Sequence, residues 1–114
     1  MKVVINRCFG GFGLSHEAIM LYGKRTNLNL KAVKHWRNGN TYYIDGIEDS
    51  DHHFSDYELA RNDQHLVAVV EELGEKANGY AAELSIVEIP DDVKWHIHEY
   101  DGIEHIAEDH RTWS

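Results

Sequence analysis

Apolar and polar residues alternate in the first part of the chain in a way that predicts three short strands. Residues 2–5 form an apolar, β-branched run with the length of a buried strand. Alternation over residues 28–32 predicts a half-buried second strand, and residues 41–44 are predicted to return beside it. The Arg-Asn-Gly-Asn segment at 37–40 supplies the hairpin turn between these two strands.

Two segments have the 3.6-residue period of helices. We predict the first helix over residues 16–22, with Ser15 as its N-cap and Gly23 as its stop. The second helix is predicted to begin at Asp63, its N-cap, and to end at Lys76. One face of this helix is apolar, comprising Leu66, Val67, Val70, Leu73 and Ala77.

The remaining segments are an acidic loop and three strands. Residues 45–62 lose all periodicity and are predicted to form a solvated, mobile loop. Residues 82–89 read as a strand, and residues 93–100 and 103–110 as a hairpin around Asp101-Gly102, a type I′ turn signal. The order β-α-β-β-α-β-β-β predicts one α+β domain over residues 1–114, with two helices packed on one face of a mainly antiparallel sheet.

The segment from Arg7 to Ser15 is the first candidate for a binding site. A strand runs into three glycines and then into a capped helix start, and that geometry presents free amides and the positive end of a helix dipole to an anion. The alternative is a sharp turn without a ligand, because the lysine and hydroxyl of a phosphate-binding P-loop are missing. The candidate ligand-binding residues in this segment are Arg7, Cys8, Gly10, Gly11, Gly13 and Ser15.

Charge and cysteine content narrow the classes of partner. The formal net charge is −9, with 20 acidic against 11 basic residues, which disfavours nucleic acid and favours a basic partner protein. The single cysteine, Cys8, fits a reducing compartment. No apolar run reaches the ~20 residues that span a bilayer, and the N-terminal apolar run is too short for a secretory signal. We therefore expect a cytosolic protein.

Histidines and carboxylates of the C-terminal hairpin are candidates for a metal site or a carboxylate pair. The alternative is that they are solvated surface residues. A two-residue turn places His98 opposite His105, with His96 on the same face. These three histidines are a candidate zinc site, although no fourth ligand is apparent. Glu99 and Glu104 are predicted to be cross-strand neighbours and solvated. Cys8 is read as a small hydrophobe rather than a nucleophile.

Aromatic residues near the chain end are either part of the core or a wall on which a ligand ring stacks. The group consists of Trp95, Tyr100, Arg111 and Trp113. We assign Tyr100, Arg111 and Trp113 to the candidate ligand site, together with the Arg7–Ser15 segment.

Three stretches resemble a family of small uncharacterised proteins encoded by bacteriophages and prophages. They are VINRCFGGFGLS at residues 4–15, residues 66–79 with EELG, and residues 87–113 with VEIPDDV and HRTW. The resemblance implies a bacterial host cytosol and an accessory role such as counter-defence. Proteins of that kind often bind a host enzyme or sequester a small molecule, by analogy.

The sequence therefore predicts a non-enzymatic protein, without a cofactor, that binds a phosphorylated or nucleotide-like molecule. The alternatives are an acidic inhibitor that binds a basic surface of a host protein through residues 45–58, and a zinc-dependent hydrolase. A homo-oligomer is compatible with each, because small binding domains often build sites between copies.

Overall fold

The computed structural model describes residues 1–35 and 39–108 and confirms the predicted α+β fold. The predicted order of elements is found, with one additional short strand. The elements are β1 (Lys2–Asn6), α1 (His16–Thr26), β2 (Leu30–His35), β3 (Gly39–Ile44), β4 (His53–Phe54), α2 (Gln64–Leu73), β5 (Leu84–Glu88), β6 (Trp95–Tyr100) and β7 (Ile103–Glu108).

The strands pair antiparallel in three sheets, β1–β5, β2–β3–β4 and β6–β7. The β1–β5 sheet is the middle layer. Val4 pairs with Ile86, and both side chains contribute to the core formed with the helices. Val3 pairs with Val87 on the opposite face. On that side β7 lies next to β1.

The core is formed by α1, α2 and the β2–β3–β4 sheet packed together. Leu66 and Val69 of α2 and Ala18 of α1 are fully buried. Tyr22 of α1 is also buried, and its hydroxyl donates a 3.0 Å hydrogen bond to the Asp63 carboxylate. Because Asp63 caps α2, as predicted, this bond joins the two helices.

Both helices end at positions that differ from the prediction. α1 continues through Gly23 to Thr26, and Asn27 in the left-handed region ends it. Gly23 does not end the helix; glycine is favoured there because a Cβ would lie 2.9 Å from the Leu30 side chain. The α-helical part of α2 ends at Leu73, since Gly74 has φ +58, and a 3-10 turn Gly74–Ala77 follows.

The prediction of a wholly irregular acidic loop over residues 45–62 is wrong in its second half. β4 pairs with β3 through Tyr42↔Phe54 and Tyr43↔His53. A 3-10 turn, Asp56–Glu58, follows directly. Two residues of strand are too few to give a detectable alternation. The strand is therefore defined by its pairing with β3 and not by its own sequence.

The C-terminal hairpin has the predicted register. Asp101 and Gly102 have φ +50 and +89, as a type I′ turn requires, and His98 pairs with His105. In the other predicted hairpin turn, Gly39 begins β3. Arg37 and Asn38 of that turn lie outside the described residues.

Candidate functional site

Close backbone contacts explain Gly10 of the Arg7–Ser15 segment and Gly102 of the hairpin turn. A Cβ on Gly10 would overlap Ala81, and a Cβ on Gly102 would overlap the backbone of Phe9 and Gly11. The loop therefore packs its backbone directly against two other segments, the 79–81 loop and the hairpin turn. Glycine is required at both points for lack of space.

Backbone amides at the start of α1 are bound by the protein itself. The amide of Leu14 donates to the Asp56 carboxylate at 2.9 Å, and the amide of Ser15 donates to the Ala77 carbonyl at 2.9 Å. The Ser15 hydroxyl accepts from the Ala18 amide, which confirms the predicted N-cap, and donates to the Lys76 carbonyl. A carboxylate of the chain thus occupies part of the place predicted for an anionic ligand.

Asn6 is a fully buried polar side chain that no sequence pattern singles out. Its amide nitrogen donates to the carbonyls of Cys8 and Gly102, each at 2.7 Å. Its oxygen accepts from the backbone amides of Cys8 and Glu83. With these four bonds one side chain joins β1, the Arg7–Ser15 segment (the glycine loop), the hairpin turn and the segment before β5.

Glu104 was predicted to be solvated, and this is wrong, because only 8% of its surface is exposed. Both carboxylate oxygens accept from the Arg61 guanidinium, with Nη2 to Oε2 at 2.8 Å. Oε1 also accepts a 2.8 Å hydrogen bond from the backbone amide of Asn6. The guanidinium carbon of Arg61 lies 3.6 Å from the centre of the Phe12 ring. A buried carboxylate needs such partners, and they come from residues far away in sequence.

A groove of about 400 Å³ lies between the β1–β5 sheet and the β6–β7 hairpin, and we call it the hairpin groove. Its volume falls in the range typical of small-molecule sites. The walls are mostly aliphatic, formed by Ile5, Val87, Ile89, Pro90, Val93 and Ile106.

Polar and aromatic groups lie at the two ends of the hairpin groove. Arg7 and Glu104 line it at one end, where Glu104 binds the amide next to Arg7. Trp95 and Glu108 line the other end and are direct cross-strand partners. The two ends are separated by the four-residue span from Glu104 to Glu108 along β7, about 13 Å at the rise of a strand.

The predicted ligand residues do not converge on one cavity. Arg7 lines the hairpin groove, Gly11 lines a smaller cavity of about 210 Å³ beside the Arg61–Glu104 pair, and Cys8 lines a third depression near Ala82. Gly10 packs on Ala81, and Ser15 is used as a cap; a Cβ on Gly13 would point into open space. Tyr100 is 71% exposed. Arg111 and Trp113 lie outside the described residues.

The histidine pair of the hairpin has the predicted register, with the ring centres of His98 and His105 4.9 Å apart. His96 is paired with Ala107 on the same face. Within residues 1–35 and 39–108, no three histidine, cysteine or carboxylate side chains are grouped as a metal site would require.

The acidic segment, residues 45–58, is exposed without interruption only in its first half. Every residue from Asp45 to Asp51 is exposed, and Ile47 retains 44% of its surface. The Asp49 carboxylate accepts a hydrogen bond from the His52 ring. This bond is the main reason why the pKa of the Asp49 carboxyl is below its ordinary value. Asp56, by contrast, holds the Leu14 amide.

In the part of the chain that the structure describes, no helix has both the length and the apolar character needed to cross a membrane.

No protein-family model, curated protein or solved structure matches the chain. The resemblance to the phage-encoded family therefore stays an expectation.

Proposed function

We propose that this is a binding protein that holds a phosphorylated, nucleotide-like molecule in the hairpin groove. The observation that carries the proposal is the arrangement of one apolar cavity with an arginine at one end and a tryptophan beside a carboxylate at the other. These are the groups that bind a phosphate, a flat ring and the N–H donors of that ring.

Arg7 supports an anionic group in the ligand. It is exposed, and its backbone is held by a 2.8 Å hydrogen bond from its amide to the Glu83 carbonyl. Among residues 1–35 and 39–108, no carboxylate lies within salt-bridge distance of its guanidinium. The nearby charge of Glu104 is matched by Arg61. An incoming phosphate therefore meets an available cation.

Trp95 and Glu108 support a ring with hydrogen-bond donors. The indole is half-buried and lies on the same face as the Glu108 carboxylate. A nucleobase stacked on the indole directs its N–H groups sideways, where a carboxylate accepts them. The separation of about 13 Å between the ends suits a ring connected to phosphate through a sugar, with the Arg7 side chain extended toward it.

The described residues that line the groove supply no hydroxyl, thiol or amine nucleophile. Among the described residues that line it there is no serine, threonine, cysteine or lysine. These are the side chains that most often serve as activated nucleophiles. Cys8 lies at a different depression, next to Ala82 and Glu83.

The test uses adenosine and guanosine monophosphates as probes, with the free nucleosides and inorganic phosphate for comparison. We expect a monophosphate to raise the thermal unfolding temperature, because a ligand that binds only the folded state stabilises it by about 2.7 kcal/mol at 100 times its Kd. Arg7→Ala should remove about 1.5–3 kcal/mol of binding free energy from the monophosphate and leave nucleoside binding unchanged. Trp95→Ala should weaken both.

Arg25→Ala is the matched control, since Arg25 is an exposed arginine in the last turn of α1. Equal losses in the Arg7 and Arg25 variants would contradict the proposal by showing general charge attraction. Amide chemical-shift changes at residues 10–15, without changes at Trp95, would instead locate the site at the glycine loop.

A further inference from the structure

Exposed aromatic side chains are concentrated around the glycine loop. Six large hydrophobic residues of the described chain are exposed, and four of them are aromatic. Phe9, Tyr57 and Tyr100 are each at least 70% exposed, and Tyr80 is fully exposed. We call these four residues the aromatic face. Aromatic side chains left in water beside one loop are available for contact with a partner.

The four aromatic residues belong to segments that are each in direct contact with the glycine loop or line a cavity beside it. Tyr80 lies between Gly79, which donates its amide to the Gly13 carbonyl at 2.9 Å, and Ala81, which packs on Gly10. Tyr57 and Gly102 both line the 210 Å³ cavity beside the loop.

The hairpin turn connects the segments that carry Phe9 and Tyr100. Gly102 packs on the Phe9 backbone, and Tyr100 precedes that turn by one residue. Close backbone contacts and hydrogen bonds therefore hold all four segments in place before any partner arrives. A surface ordered in advance loses little entropy on binding.

Charge around the aromatic face is negative. The segments 7–15, 56–61, 79–83 and 99–104 together carry six carboxylates and two arginines. One of these arginines, Arg61, is bound to Glu104 within the protein. The carboxylates exposed to a partner are Glu58, Glu83, Glu99 and Asp101.

Aromatic rings among carboxylates are what a guanidinium or ammonium group binds best, through cation–π contacts and charge-assisted hydrogen bonds. We propose that the aromatic face is a docking surface for an arginine- or lysine-bearing segment of another protein. This surface differs from the acidic segment 45–58, and the proposal is independent of the hairpin groove.

The sign of the charge decides between occupants. Nucleic acid and anionic lipid carry the same sign as this surface, and a second copy of a chain with net charge −9 is repelled as well. Tyrosine and phenylalanine are enriched at protein interfaces, where a few aromatic residues carry most of the binding free energy. A basic protein segment satisfies both features.

The probe is a short peptide of alternating arginine and glycine, titrated into the isotopically labelled full chain. We expect amide shift changes at Phe9, Gly11, Tyr57 and Gly102, with little change over residues 45–51. Phe9→Ala and Tyr57→Ala should each weaken the peptide roughly tenfold, as interface aromatics do. Ile47→Ala is the matched control, because Ile47 is an exposed apolar residue among acids.

Glu99→Gln tests the charge contribution. Glutamine can still accept the hydrogen bond that the Gly102 amide donates to Glu99, so the turn stays intact while one charge is lost. We expect weaker binding and a shallower dependence on salt.

Three outcomes would overturn the proposal. The first is the absence of binding at low ionic strength. The second is equal weakening by Ile47→Ala, which would mean that any acidic surface suffices. The third is stronger binding of an acidic peptide, of phosphatidylserine vesicles or of a second copy of the chain.

Discussion

The two faces of the β1–β5 sheet are both apolar, but they are covered in different ways. On one face Val4 and Ile86 pack into the closed core with α2, where Leu66 and Val69 are fully buried. On the other face Val3 and Ile5 are almost as well buried, yet the covering β6–β7 hairpin leaves the hairpin groove open.

The means of attachment explains this difference. The helical face is held by interdigitated apolar side chains, which leave little empty space. The hairpin is anchored near its turn by Asn6 and by the Arg61–Glu104 pair. Polar anchors concentrated at one end fix the hairpin in position and allow its strands to stand away from the sheet. Space for a ligand is thus a consequence of polar rather than apolar attachment.

The largest expected effect comes from breaking the anchor of the hairpin. Glu104→Gln removes the charge that faces the half-buried Arg61 guanidinium and one of its two acceptor oxygens, and we expect a loss of about 3–5 kcal/mol in unfolding free energy. Glu99→Gln, at the cross-strand neighbour, should cost less than about 1 kcal/mol, because Glu99 is exposed and glutamine keeps its acceptor. Urea denaturation of both variants measures the difference. Similar losses would mean that burial of Glu104 does not matter.

Glycine substitutions should separate two requirements for glycine, which are the lack of space for a Cβ and a backbone φ in the left-handed region. Gly102→Ala combines φ +89 with overlap on the Phe9 backbone, so we expect destabilisation by about 2–4 kcal/mol. Gly11→Ala has only the strain of φ +93, about 1–2 kcal/mol.

Gly13→Ala serves as the reference in this series. It has neither positive φ nor a neighbour within 4 Å, and should change stability by less than about 0.5 kcal/mol. Thermal and urea unfolding of the three variants give the order. A Gly13→Ala loss as large as that of Gly102→Ala would show that the glycine loop has a constraint beyond packing.

Local signals in the sequence predicted what depends on neighbouring residues. The Ser15 and Asp63 caps and the Asp101-Gly102 turn are each determined within a few residues, and all three are confirmed. The register of the last hairpin follows from its turn, so the His98–His105 pairing is also confirmed.

The site depends on contacts between residues far apart in sequence. The backbone amide of Asn6 binds the carboxylate of Glu104, which is 98 residues away in sequence. Arg61 is 43 residues away from Glu104. A lone glutamate gives no sign of burial until its partners are known. Arg7 was predicted as a ligand residue because it precedes the glycines, whereas the structure sets it in a groove that the glycines do not line.

A modest effect is expected on the helical face, where Tyr22 connects α1 to the Asp63 cap. Burial, followed by the hydrogen bond to Asp63, raises the pKa of Tyr22 to about 12. The unfolded chain ionises this tyrosine near pH 10, while the folded protein keeps the proton. Stability contributed by Tyr22 is therefore fully present below about pH 10 and is lost as the pH rises toward about 12.

Tyr22→Phe should cost about 1 kcal/mol at neutral pH, the typical value of a lost hydrogen bond, and should flatten the fall in stability above pH 10. Tyr57→Phe is the control, because that hydroxyl is on a 72% exposed side chain. Urea unfolding at neutral pH and across the alkaline range measures both. If the hairpin is held independently of the helices, the Tyr22 variant will bind the groove ligand as the wild type does at neutral pH. Loss of that binding would mean that the two faces of the sheet are coupled through β1.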